Sequence, residues 1–456
     1  MVKLKSVKFG GTSIKNKKAI DHCCDIVKKN IKQYKVIVTV SAITRVTDIL
    51  YEIIDLSLQS KFNAVQSRIR YISSLHKTIL YKILDGNYNT HNIWLQSFQP
   101  LIQKLLLLCH DTTPIKKVTD HSIAQISSFG ERLSSLIVAI ALNQRKLSNT
   151  RIESEKIIKT NNNYLKAKIN IKMTTISAQK ILYPLLQKNI IPIITGFIAR
   201  DNSGDITSLG RGGSDYTASI LGIALNANLV EIWTDVDGIM TADPHIVNNA
   251  CSWETIDIHT AQNMAYCGAN IIHPDAIAAV HNNIPVYIFN TFNPHFKGTK
   301  ITHNNSSTKG IVLNANNILI KLEKQKTINF MRNKKEIFDI INTYNILIDI
   351  YDISDVIFVF SITVKDYAHK LLKYVHQYEG LELNFNVVQL SIIAHKIHED
   401  NLFIANICYV VAQLNIEVYA INLSALNNKI VILVERDKAI QCSIAVHNTL
   451  LQYNLI

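Results

Sequence analysis

Val2-Lys3-Leu4-Lys5-Ser6-Val7-Lys8-Phe9-Gly10-Gly11-Thr12-Ser13 opens the chain. Val2 to Val7 reads as a strand that delivers a lysine and two glycines to the mouth of a following helix. Glycine has no Cβ and lets the backbone approach an anion closely, while a helix N-terminus offers free N–H groups. Lys8 adds a full positive charge beside that turn. Taken bare, Lys-x-Gly-Gly is either an ordinary strand–turn–helix corner or a phosphate site, and the rest of the chain has to decide.

Working outward, Ile14 to Asn30 has helical apolar spacing, and Val36 to Val40 is a β-branched run that predicts a buried parallel strand. That strand opens onto the polar stretch Ser41-Ala42-Ile43-Thr44-Arg45-Val46-Thr47-Asp48. Ile49 to His110 is helical in pattern. Ser127 to Ser135 reads as an interruption before a helix over Leu136 to Leu142. A further strand, Ile190 to Thr195, leads through Gly196-Phe197-Ile198 into a hairpin-like excursion over Arg200 to Asp205. Next comes Leu209-Gly210-Arg211-Gly212-Gly213-Ser214-Asp215-Tyr216, a second glycine loop, with a helix predicted over Ala218 to Leu225. Leu229 to Trp233 reads as a strand carrying Thr234-Asp235-Val236-Asp237-Gly238 at its end.

Strands alternating with helices predict an α/β domain with a mainly parallel sheet, in which ligands collect at the carboxyl ends of the strands. The loops beginning at Lys8, Ser41, Thr195 and Thr234 all follow predicted strands and can therefore share one crevice. Near residue 300 the texture changes to a polar segment, His303 to Lys309. Two weakly similar α+β units follow, each with β-α-β-β order and a further helix. The first uses Ile318–Leu322, Lys335–Asn342, Ile346–Ile350 and Val356–Phe360. The second uses Val388–Ile393, Leu402–Leu414, Glu417–Leu423 and Lys429–Val434.

Composition narrows the function classes. The chain has 456 residues, 48% of them hydrophobic and 18% charged, which suits a folded multidomain protein. Its formal charge of +13 is scattered in ones and twos of lysine, with no basic tract interleaved with aromatics, so no nucleic-acid partner is expected. The 7 cysteines show no C-x-x-C pair and no zinc spacing, which predicts free thiols and no metal site of His/Cys type. No apolar run has the ~18 residues of a membrane span. With the glycine corner beginning at Lys8, no removable leader and no membrane association are expected, and the cytoplasm is the expected location.

Two glycine loops, a lysine, an arginine and loop aspartates supply what phosphoryl transfer requires, because that chemistry rests on positioning and charge neutralisation. Glu131, at a helix start, is alternatively a simple N-terminal acid favoured by the helix dipole. Ser41 and Thr47 are alternatively caps or turn residues.

Taken in order, these motifs resemble the aspartokinase family, whose members have an amino-acid-kinase fold followed by paired ACT domains. The resemblance rests on Lys8-Phe9-Gly10-Gly11-Thr12-Ser13, Phe129 to Ser134, Gly196-Phe197-Ile198 and Leu209 to Tyr216. It continues through Trp233 to Ile239, Thr241-Ala242-Asp243-Pro244 and Gly268 to Pro274. It implies transfer of the ATP γ-phosphoryl group to the side-chain carboxylate of L-aspartate, with Mg2+, in the route to lysine, threonine and methionine. Carried over by position, Lys8 and Asp215 are catalytic: Lys8 neutralises the transferring phosphoryl and Asp215 orients the reacting groups. Arg211 holds the substrate α-carboxylate and Glu131 its ammonium, with Ser41, Thr47, Gly212 and Ser214 completing the substrate site. Lys8, Gly10, Gly11, Thr234, Asp235, Met240, His245 and Asn270 face the nucleotide. Lys8→Ala is expected to abolish turnover and leave the fold intact.

The chain departs from the pattern at two cations. The family's Asp-Pro-Arg is Asp243-Pro244-His245 here, and its Gly-Ala-Lys is Gly268-Ala269-Asn270, which predicts weaker ATP binding. The regulatory half is less typical. Asp349, Ser354 and Asp355 resemble the pattern of lysine-sensitive members, yet Asn329 to Glu336 lacks the usual approach to the effector helix. Lysine or threonine is the expected allosteric inhibitor, with feedback weakened or lost. The expected domains are 1–302, catalytic, then 310–383 and 384–456, the ACT units, associating as a homodimer or dimer of dimers. A kinase of the same fold acting on another acid such as glutamate, and a regulator that has lost catalysis, are the alternatives.

Overall fold

A strand buried along its whole length, β1 (Leu4–Phe9), carries the opening motif. The structure, a computed structural model, describes residues 3–454 apart from 87–88, 113–118, 211, 270–271, 273, 278–280, 282, 304–307, 344–345, 347, 354–355, 364–371, 373–377, 379 and 425–427. The chain forms two compact units, Met1–Ile239 with Ile271–His303, and Met240–Asn270 with Asn304–Ile456.

In the first unit the strands are β1, β2 (Lys35–Val40), β3 (Asn149–Ile152), β4 (Ile191–Thr195), the hairpin β5 (Ile198–Arg200) and β6 (Ile206–Ser208), and β7 (Leu229–Thr234). After β8 (Thr255–Asp257), a short strand of the second unit, come β9 (Val286–Asn290) and β10 (Thr299–Thr302). The first unit's sheet runs β3-β4-β2-β1-β7-β9-β10. It is parallel from β3 to β9, and β10 closes it antiparallel to β9. The expected parallel sheet is therefore present. The sequence reading did not include β3, β9 and β10. Asn149-Thr150-Arg151-Ile152 is short and polar, and its strand state comes from pairing with β4, since β preference depends on such context.

As the centre of a sheet covered on both faces, β1 buries polar side chains that need partners. Lys5 pairs with Glu231 at 2.6 Å, and the Ser6 hydroxyl donates to the Ala218 carbonyl at 2.7 Å. The second bond seats the helix Gly213–Ala224 against β1. Burial of Phe9, which is fully enclosed, contributes about 2–3 kcal/mol.

The first unit's helices are α1 (Lys17–Asn30), α2 (Val46–Leu58), α3 (Phe62–Ile83), α4 (Asn89–Ile93), α5 (Gln99–Thr112), α6 (Asp120–Ser127), α7 (Phe129–Gln144), α8 (Ile171–Gln187) and α9 (Gly213–Ala224). A π turn over Trp94–Phe98 joins α4 to α5. α1 begins where the Asn16 side chain accepts the Ala19 N–H at 3.0 Å, an N-cap that places its start later than Ile14. The helical reading of 49–110 matches α2 to α5. The expected interruption at Ser127 to Ser135 is a correction: the chain breaks only at Ser128, and α7 is already helical from Phe129. Phe129, Leu133, Ile137 and Ala141 recur at helical spacing and are all buried, which continues the helix through the polar serines. α9 likewise starts before Ala218, so Ser214 and Asp215 occupy its first turn.

In the second unit, α10 (Ile258–Cys267) precedes strands β11 (Lys309–Asn314) and β12 (Asn317–Glu323). α11 (Phe330–Thr343), β13 (Ile348–Ile353), β14 (Ile357–Thr363) and β15 (Leu381–Asn384) follow, then β16 (Val387–Ala394), α12 (Asn401–Gln413), β17 (Val418–Ser424), β18 (Lys429–Glu435) and α13 (Ala439–Asn454). Both β-α-β-β runs are present, in antiparallel sheets ordered β13-β14-β12-β15 and β11-β16-β18-β17. Two features differ from a simple sequential division. β11 pairs with β16, so its residues complete the sheet of the later run. Residues 240–270 belong to this unit as well, where the Ile311 N–H donates to the Thr241 carbonyl at 2.8 Å. None of the seven cysteines is in a disulfide. Among the described residues, no helix is long and apolar enough to cross a membrane.

Candidate active site

Phe9, Val40, Thr195 and Thr234 end neighbouring parallel strands, and backbone hydrogen bonds tie the loops that leave them. Ser41 N–H donates to the Phe9 carbonyl at 3.2 Å, Gly196 N–H to Val40 at 2.9 Å, and Gly10 N–H to Trp233 at 3.0 Å. Two glycines allow the closest approaches. A Cβ on Gly11 would sit 2.6 Å from the Ala42 carbonyl oxygen, and one on Gly196 would sit 2.8 Å from the Cα of Ser214. Neither backbone can yield to that, so these glycines set how near the loops come.

Lys8 emerges from the end of β1, and its ammonium lies 2.5 Å from Asp215 Oδ1 in the first turn of α9. Each side chain is 10% exposed. Gly212, left-handed at φ 69°, starts that helix, and Ser214 beside Asp215 is buried. Glu131, in the first turn of α7, comes to the same loops from the other side. Its Oε1 accepts the Ala42 N–H at 3.0 Å, while the Ser134 hydroxyl donates to the Ser41 carbonyl at 2.7 Å. Glu131 Oε2 is buried and accepts no well-formed hydrogen bond among the described residues. Burial pushes the Glu131 pKa up to about 7, against the pull of the Ala42 and Glu131 backbone N–H groups, the Lys8 charge and the Ser214 hydroxyl. A buried carboxylate held this way favours a cationic ligand that can neutralise it.

The remaining predicted residues divide. Thr47 is half-buried in the first turn of α2, just after Arg45. Arg45 has φ 68°, the left-handed region that favours glycine. Thr234 and Asp235 stand at the end of β7, with the Thr234 hydroxyl donating to Asp235 Oδ1 at 3.1 Å. Met240 and His245 belong to the second unit, where His245 is exposed and its N–H donates to Asp243 at 2.9 Å. Arg211, Asn270, Ser354 and Asp355 lie outside the described residues, as does the side chain of Asp349. The expectation that Lys8→Ala would spare the fold needs correction, because Lys8 is the partner of a buried aspartate.

Sequence reading missed the residues that hold these groups in place. Ala42 contributes only its backbone N–H, which no side-chain pattern could reveal. Ser13 and Thr291 form a buried hydroxyl pair at 2.7 Å. Asp237 accepts from the Asn290 and Asn293 amides at 2.9 and 3.2 Å, bracing the loop after β7 against the end of β9. Ser13 was visible in the opening motif, but Asn290 ends, and Thr291 directly follows, a strand the sequence reading passed over.

Comparison with known proteins bears on the same region. A sequence profile of the amino acid kinase family matches residues 4–290. The lysine-sensitive aspartokinase 3 of Escherichia coli is 30% identical over 358 residues, 76% of each chain. The chain belongs to the aspartokinases of the amino acid kinase family. Among other aspartokinases, a bifunctional aspartokinase/homoserine dehydrogenase from Buchnera aphidicola is 28% identical over 98% of this chain, which spans 56% of that longer protein. E. coli aspartokinase III in complex with aspartate and ADP shares the fold, with a TM-score of 0.83 and 24% identity over 98% of this chain and 100% of that one. The aspartokinase fold thus extends over both units, including the antiparallel sheets that follow the parallel one.

Proposed function

We propose that this chain is an aspartate kinase that transfers the γ-phosphoryl group of ATP to the side-chain carboxylate of L-aspartate, giving 4-phospho-L-aspartate. The observation that carries the reading is the juxtaposition at the loop tips. A lysine held by Asp215 lies within the electrostatic reach of Glu131, a buried acid at the start of α7. An amino-acid substrate offers an ammonium to Glu131, and its reacting carboxylate needs an adjacent cation. The substrate carboxylate oxygen attacks the γ-phosphorus as the bond to ADP breaks, so no side-chain nucleophile is required.

In this reading Lys8 offsets charge on the transferring phosphoryl and Asp215 fixes the direction of its ammonium. Ser41, Thr47, Gly212 and Ser214 line the substrate site, and Arg211 takes the α-carboxylate through its planar fork. Gly10 and Gly11 present their backbone to the phosphate oxygens, while Thr234 and Asp235 contact the nucleotide. Met240, His245 and Asn270 receive nucleotide roles from the family resemblance alone. Mg2+, which the family resemblance implies, would supply charge neutralisation at the ATP phosphates. The parallel-sheet domain is the catalytic one and the two antiparallel sheets are ACT units. They provide for a homodimer or dimer of dimers and for lysine or threonine as effector, in a cytoplasmic enzyme.

The test is a coupled assay with aspartate, glutamate or no acceptor, trapping any acyl phosphate with hydroxylamine. Hydroxamate formation with aspartate alone is expected. Formation with glutamate would assign the enzyme to the longer acid, and none with either would leave a non-catalytic regulator.

A further inference from the structure

A pair of buried hydroxyls, Ser13 and Thr291, joins the ends of β1, β7 and β9 and has no role in the reading above. Ser13 Oγ donates to the Trp233 carbonyl at 3.2 Å and lies 2.7 Å from Thr291 Oγ1. Both residues are completely buried. Backbone bonds run alongside: Gly10 N–H donates to the same Trp233 carbonyl at 3.0 Å, and Thr291 N–H donates to the Thr234 carbonyl at 2.8 Å. The thiol of Cys23 donates to the Ser13 carbonyl at 3.0 Å, which anchors the corner to α1.

Counting protons fixes the direction of this chain. A hydroxyl has one proton to donate. Ser13 directs its proton to Trp233, so the Thr291 hydroxyl is the donor to Ser13. The order is Thr291 O–H to Ser13 O–H to Trp233 C=O. Both lone pairs of that carbonyl are then occupied, one by Gly10 and one by Ser13. The two groups bound to it belong to the corner that follows Lys8, while the carbonyl itself directly precedes Thr234 and Asp235.

We propose that Ser13, oriented by Thr291, is a positioning residue for phosphoryl transfer. It sets the spacing between the Lys8 corner and the nucleotide-contacting end of β7. The inference rests on the kinase reading of Thr234 and Asp235. The aspartate side of the site has separate anchors, the Ala42 N–H on Glu131 and the Ser134 hydroxyl on Ser41. Loss of the Ser13 bond therefore acts on the nucleotide and leaves aspartate binding alone.

The experiment is steady-state kinetics on the full chain, varying ATP and aspartate separately, for Ser13→Ala, Thr291→Val, Thr291→Ser and the double variant Ser13→Ala/Thr291→Val. Ser13→Ala is expected to raise the ATP KM roughly tenfold and lower kcat, as the loss of one buried hydrogen bond implies, with the aspartate KM unchanged. Thr291→Val should have a smaller effect of the same kind, because Ser13 keeps its own bond, and Thr291→Ser should behave as the parent. The double variant should match Ser13→Ala. If Ser13→Ala does not fold, the selective rise in ATP KM with Thr291→Val and its rescue by Thr291→Ser decide the question. Equal shifts in both KM values, an unmoved ATP KM, or a Thr291→Val effect larger than that of Ser13→Ala would overturn the proposal. Asp235→Asn separates the two levels. If it raises the ATP KM while the hydroxyl variants do not, only the positioning role fails; if it too is silent, the nucleotide reading of β7 fails.

Discussion

Replacing Glu131 with glutamine should make the protein more stable and less able to bind aspartate. Burial raises the Glu131 pKa from 4.5 to about 7. The folded state therefore binds a proton more tightly than the unfolded chain. Stability from this group is complete below pH 4.5, falls as the unfolded carboxyl ionises, and is lost once pH passes about 7. At about 1.4 kcal/mol per pH unit, the loss amounts to roughly 3 kcal/mol. Glutamine does not titrate and can still accept the Ala42 N–H. Glu131→Gln should thus exceed the parent in stability by about 1 kcal/mol at pH 5 and about 3 kcal/mol at pH 8, measured by denaturant unfolding without ligands. The same variant loses the charge-assisted contact to the substrate ammonium, so its aspartate KM should rise roughly tenfold to a hundredfold while the ATP KM stays put. A stability gap that is the same at both pH values would refute the burial argument. An unmoved aspartate KM would remove Glu131 from the substrate site.

Other expectations follow from single contacts. Lys8→Ala should abolish turnover and, by leaving Asp215 buried without its cation, lower stability by about 3–5 kcal/mol; thermal unfolding and the hydroxamate assay check the two effects, and near-normal turnover would end the proposed role. Lys8→Met with Asp215→Asn should restore stability and leave turnover absent, whereas recovered activity would contradict the need for charge. His245→Arg and Asn270→Lys should each lower the ATP KM about tenfold, as a regained charge-assisted contact would; an unimproved KM in both would show that neither departure weakens ATP binding. His76, enclosed in α3 with Nδ1 2.8 Å from the Ile72 carbonyl, has its pKa lowered to about 4 by burial. As pH falls from 6.5 to about 4, the unfolded chain takes up a proton that the folded one refuses, at a cost of roughly 3 kcal/mol. His76→Leu should flatten that acid loss, and equal acid sensitivity in both proteins would place the effect elsewhere.

Local patterns were enough to show the kind of fold and the residue types of the candidate site. β-branched runs ending in glycine or polar loops are local signals, and they marked β1, β2, β4 and β7, the strands whose carboxyl ends carry Lys8, Ser41, Gly196 and Thr234. The order of the motifs around Lys8, Glu131 and Asp215 carried the family resemblance. How those groups are held depends on contacts made across the fold. Nothing local in Asn149 to Ile152 distinguishes a strand, because its pairing with β4 supplies the preference. The polar serines near Glu131 look like a break until Phe129, Leu133 and Ile137 are seen burying one face of α7. The elevated pKa of Glu131, the pairing of Lys8 with Asp215, and the Thr291–Ser13–Trp233 chain depend on groups far apart in sequence. Burial and hydrogen bonding act through space, and a linear pattern records residue identity without recording which distant backbone N–H or hydroxyl will meet it.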